Sequence, residues 1–120
     1  MAANYLPLFR PGQTVTFAVT DAVKAGDFVE PGGADWSVKP AVTSSDVVIG
    51  QAGHDAEIGD KVTVEVGKPI HEATAAGAIT RGTRIKVASA STVATYDTGT
   101  VHGIALASAA DGALVPFVQV

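Results

Sequence analysis

The sequence predicts an all-β protein: a compact single-domain barrel or sandwich, tulip-like in outline, built of short strands behind an extended N-terminal arm. Three observations carry this. Short runs with alternating apolar side chains recur about every ten residues from Gln13 to Val120, the spacing of all-β barrels and sandwiches. No stretch carries the 3.6-residue periodicity of a long amphipathic helix. Hydrophobic residues make up 47% of the chain but aromatics only 6%, so Val, Ala and Thr must build a closely packed sheet core.

The elements follow in order. Residues 1–12 form the arm, in which Pro7 and Pro11 flank Leu8, Phe9 and Arg10. Proline removes a backbone donor and disfavours helix at the residue before it, so the segment is extended. Residues 13–120 form the β-domain. Gln13–Val19 alternates cleanly, with Val15, Phe17 and Val19 on one face. Asp27–Glu30 is a short strand stopped by Pro31-Gly32-Gly33, and Asp35–Lys39 carries the single Trp36. Val47–Gln51 follows, then a turn or single helical turn over Asp55–Ile58, then the strong strand Lys61–Val66. Ile70–Glu72 is a strand, and the Ala-rich stretch Ala73–Ala78 suggests a brief helix. Thr83–Ala88, Thr92–Thr95, Val101–Ala107 and Leu114–Val120 complete the set, with Pro116 marking an edge or a bulge. The expected core includes Val15, Phe17, Val62, Val64, Ile85, Val87, Ile104, Val115 and Phe117.

Two segments read as variants of one text. Val48–Val66 and Val101–Gln119 align at an offset of 53 residues, which superposes Gly50 on Gly103, Ala52 on Ala105, Gly59 on Gly112 and Val62 on Val115. Upstream, Val23–Val29 echoes Ile79–Ile85 at an offset of 56. Glycine recurs where backbone needs close approach or positive φ, so the pattern suggests a duplicated supersecondary unit.

Composition excludes several functions. The absence of cysteine rules out disulfides and thiolate metal sites. A net charge of −4 argues against nucleic acid, whose phosphates call for a concentrated positive face; the basic cluster Arg81, Arg84 and Lys86 reads as a solvated face. No apolar run approaches the roughly 18 residues that span a membrane, and the opening MAANYLPLFRPG lacks the pattern of a secretory signal. The expectation is a soluble chain made in the cytoplasm.

No enzyme constellation emerges. His54, His71 and His102 lack paired ligand spacing, so no metal site or cofactor is expected. The HDAE run at His54–Glu57 is either an acid/base cluster or a polar loop beside a glycine turn. There is no nucleophile elbow or phosphate loop. Trp36 is expected to be a core or interface anchor.

The order of these motifs resembles the capsid cement, or decoration, proteins of tailed bacteriophages. The resemblance rests on NYLPLFRPGQTVTFAV at the start, VKAGDFV at Val23–Val29, GDKVTV at Gly59–Val64, GAITRGTRI at Gly77–Ile85, and the closing VHGIALASAADGALVPFVQV. It covers nearly the whole chain, but the Pro31-Gly32-Gly33 loop with Trp36 has no counterpart in the pattern. The resemblance implies a non-enzymatic structural virion protein on the outer capsid surface, made in the host bacterial cytoplasm. Its implied partners are the major capsid protein and itself, as a homotrimer. The candidate capsid-binding arm is Asn4, Tyr5, Leu6, Pro7, Leu8, Phe9 and Arg10, with Trp36 near a subunit contact. The competing reading is a β-sandwich binding module for carbohydrate or a host surface.

Overall fold

Ten short strands close into two barrels, one after the other along the chain, in a computed structural model that describes residues 14–120. The first barrel uses β1 (Thr14–Val19), β2 (Phe28–Pro31), β3 (Ser37–Pro40), β4 (Gly50–Ala52) and β5 (Lys61–Glu65). The second uses β6 (Ile70–Ala75), β7 (Arg84–Ser89), β8 (Thr92–Thr95), β9 (Gly103–Ala105) and β10 (Leu114–Gln119). The all-β barrel class holds.

Strand order is the same in both. It runs β1-β3-β2-β4-β5 in one barrel and β6-β8-β7-β9-β10 in the other, and the last strand pairs back on the first. The β1/β3 and β6/β8 pairs are parallel and the rest antiparallel. Register matches as well. Val15 faces Val64 and Ala18 faces Lys61; His71 faces Phe117 and Thr74 faces Leu114. Between these pairs, the β1 residues recur 56 positions later and the β5 residues 53 later. The isolated bridges Val23–Ala56 and Ile79–Ala109 obey the same two offsets.

Pleating decides what lies inside each barrel. In β5, Val62 and Val64 point inward and are fully buried, while Lys61, Thr63 and Glu65 point outward. Val19, Val29, Val38, Val62 and Val64 fill the first barrel, and Ile85, Val87, Val93, Val115 and Phe117 the second. Small β-branched side chains suffice because a five-stranded barrel has a narrow interior.

Several expectations need correction. Ala73–Ala78 is not a helix: Ile70–Ala75 is strand, because Ala73 and Ala75 fill the barrel interior and the ladder to β10 outweighs alanine's helix preference. β3 begins only at Ser37, since Trp36 has φ 55° and cannot continue a strand. Ile104 lies on the outer face, between the buried Gly103 and Ala105, and Phe17 is only half-buried. Pro116 sits inside a closed barrel, not at an edge or bulge. Leu106 N–H donates to the Pro116 carbonyl at 2.9 Å, and the return bond that proline cannot give falls just beyond the end of β9 at Ala105.

The barrels are joined by packing as well as by chain. Phe28 stands on the first barrel but belongs to the core of the second, with no exposure and Phe117 at 6.2 Å between ring centroids. Its N–H donates to Ala90 O at 2.7 Å, and Ser44 N–H to Ala88 O at 3.1 Å. His102 meets Phe28 edge-on at 5.1 Å.

His102 is buried, and its Nε2 has no hydrogen-bond partner among the described residues. Burial, helped by nearby His71, pulls its pKa down from 6.5 to about 4. Burial likewise lowers His71, opposed by the Glu65 carboxylate. The unfolded chain therefore takes up a proton at His102 near pH 6.5 that the folded chain refuses until about pH 4. Stability is full above pH 6.5 and falls through that window, by about 3 kcal/mol at 1.36 kcal/mol per pKa unit. Denaturant melts at pH 7, 5.5 and 4 should show this slope, and His102→Leu should flatten it.

Candidate functional site

Asn4 to Arg10, the candidate arm, lie outside the described residues. Trp36 is placed on the surface, 60% exposed, and is therefore not a core anchor. Its indole stacks on Phe17 with 6.0 Å between centroids and planes 25° apart. The loop before β3 is tight: Ser37 Oγ donates to Ala34 O at 2.6 Å, and Gly32 N–H donates to Ser37 O at 2.9 Å. Together Phe17, Pro31, Gly32, Gly33, Trp36 and Ile49 border an open groove of about 440 Å³.

The HDAE run proves to be structural. Thr63 N–H donates to His54 Nε2 at 3.2 Å, so the ring proton sits on Nδ1, which donates to Asp55 O at 2.9 Å. Asp55 Oδ1 accepts from Ala25 N–H at 2.8 Å and so ties its turn to the turn after β1. In the second barrel Ser108 takes the same place, accepting from Arg81 N–H at 2.9 Å. Glu57 contributes its N–H to Asp60 Oδ2 at 3.1 Å. The His54 and Asp55 side chains are engaged in holding loops, and Glu57 takes part through its backbone N–H. Lys86 of the basic cluster is half-buried and paired with Asp97 at 2.7 Å; that hydrogen bond, with one from Thr98 N–H, holds the Asp97 carboxyl below its usual range.

The most distinctive surface is one that the sequence reading passed over. Strands β9, β10 and β6 lie side by side, and their outward residues form rows: Ile104–Val118–Ile70, then Leu106–Pro116–Glu72, then Leu114–Thr74. Ile70 is 66% exposed, Leu114 61% and Leu106 44%. The first barrel carries polar or small residues where these stand: Thr14 for Ile70, Gly53 for Leu106, and Lys61, Thr63 and Glu65 for Leu114, Pro116 and Val118. The backbone is the same; only the outward chemistry differs. The signal was present in the text, because LVPFVQV is apolar at both parities where KVTVEV alternates. A strand that is apolar on both faces in so small a barrel must show one face outside.

Residues 9–120 match a family model described as phage cement protein. The chain belongs to the phage cement protein family. It is a structural, capsid-associated phage protein. Among solved structures, the crystal structure of the head fiber gp8.5 N base of bacteriophage phi29 is similar, with a TM-score of 0.67 at 24% identity. That likeness covers 90% of this chain and 93% of the other, and it speaks for the fold. No curated protein sequence matches. For a cement protein the geometry is apt: each strand of the two barrels has a neighbour on both sides, so among the described residues no whole strand stands at a sheet edge.

Proposed function

We propose that this cement protein binds the outer surface of a phage shell and stabilises it by bridging neighbouring major capsid protein subunits. The family match over residues 9–120 carries the reading. On this reading the chain is an arm followed by a β-domain of two repeats. The protein is made in the host bacterial cytoplasm, acts on the shell as a homotrimer, and catalyses nothing. Closed barrels give it a stiff body. Bridging then falls to exposed faces and to the arm, Asn4 to Arg10, with Trp36 and its loop near a subunit contact.

The arm has a physical reason to bind. It carries Tyr5, Leu6, Leu8 and Phe9; fully burying a Leu or Phe side chain is worth about 1.5–3 kcal/mol. Ordering the arm costs about 1–2 kcal/mol per residue of backbone, and Pro7 and Pro11 lower that cost by restricting the free chain. A modest gain per arm suffices, because the domain docks alongside it. Deleting residues 2–10 is expected to leave the melting temperature nearly unchanged while co-sedimentation with shells falls sharply. A deletion that unfolds the free domain, or that decorates shells as well as the full chain, would remove the arm from this role.

A further inference from the structure

We infer that the apolar outer face of the second barrel is the seat for the arm, residues 4–10, of a second copy of this chain. The inference rests on the bridging reading above and names the partner of one of its surfaces.

An exposed face of this kind calls for a cover, because contiguous apolar patches on soluble proteins mark contact sites. The same strands in the first barrel present Lys61, Thr63 and Glu65, so the fold does not require Leu114, Pro116 and Val118 to be apolar.

The composition of the face fits the arm. Its rows hold a single charged side chain, Glu72, and neither ion pair among the described residues uses it. The thirteen residues before Thr14 hold a single charged side chain of opposite sign, Arg10, next to Leu8 and Phe9. An apolar strip with one cation is matched to an apolar face with one anion.

Both barrels are closed, so no strand lacks a neighbour on either side, although some pairings are short: β8 meets β6 only at Thr74 and Ala75. The apolar face is made of outward side chains, so an arm seated on it lies across the face and binds through its own side chains. Reach is sufficient: Leu8 is six residues from Thr14 and can stand up to about 20 Å away at 3.3–3.6 Å per residue. An arm on its own barrel would join nothing, whereas an arm on the next copy links copies into a network.

The test uses light chains carrying Leu8→p-benzoylphenylalanine, mixed with isotopically heavy unmodified chains, irradiated both free in solution and on shells. Light–heavy crosslinks onto peptides containing residues 70–74, 104–106 or 114–118 are expected. They should drop to background when the heavy chain carries Leu114→Lys, Pro116→Thr and Val118→Glu, the residues of the first barrel at those positions. Leu114→Lys alone serves if the triple variant fails to fold. Crosslinks confined to light–light pairs, crosslinks onto another surface, crosslinks that survive the variant, or none in either setting overturn the inference. Co-sedimentation of the unmodified chain with shells is scored separately. Decorated shells without these crosslinks would sink the arm's seat and leave the bridging reading standing; crosslinks in solution without shell binding would do the reverse.

Discussion

Phe28→Ala is expected to lower the free energy of unfolding by about 3–5 kcal/mol, the range for deleting a fully buried phenylalanine from a core. The cost belongs at the upper end for a topological reason. Phe28 is carried by a strand of the first barrel yet fills the core of the second, against Phe117 and His102. Truncation opens a cavity where two independently closed sheets meet, and neither can collapse alone to fill it. Denaturant unfolding at pH 7 measures this, with Phe17→Ala as the comparison. Phe17 is half-buried on the first barrel and should cost clearly less. A loss below about 1 kcal/mol at Phe28 would mean that the junction contributes little and the barrels hold themselves.

Gly103→Ala should be comparably damaging, for a different reason. A methyl group there would stand 2.5 Å from Val118 O and 3.0 Å from Phe117 Cδ2. The first of these is backbone of the neighbouring strand and cannot rotate away. The β9/β10 ladder must spread, at a cost of about 3 kcal/mol or more, the upper part of the range for overpacking. Gly50→Ala repeats the experiment in the first barrel, where the added carbon would collide with the Glu65 carbonyl and Val64. Gly33→Ala is the control: nothing stands within 4 Å of its methyl group, and its φ is unexceptional. Thermal melts of the three variants should separate the two cradles from the control by several degrees.

These two glycines also show how much could be read before the structure. Gly50 and Gly103 stood out as a matched pair because backbone crowding makes any side chain costly at both positions, and such constraints are visible as residue identity. The strong strands were visible for a similar reason, since KVTVE and RIKVA alternate with the pleat. Closure into two barrels was not visible. It depends on β1 meeting β5 and β6 meeting β10, pairings between strands far apart in sequence that leave no local mark. Ala73 and Ala75 were misread because alanine prefers helix in isolation, and only the ladder to β10 overrides that.

The candidate site was legible in a different proportion. Family membership could be read from short glycine-centred phrases spread over the chain. His54 and Asp55 looked like chemistry because composition cannot distinguish a carboxylate facing substrate from one accepting Ala25 N–H. The outer face of the second barrel escaped notice because its residues come from three strands, and each strand alone offers only one to three apolar positions that could equally have been core.

In the proposed function the protein joins capsid subunits across the outer surface of the shell. A reconstruction of decorated shells should then show density for each copy on the outer surface, in contact with at least two major capsid subunits. Copies that each rest on a single subunit, or that lie on the inner surface, would contradict it.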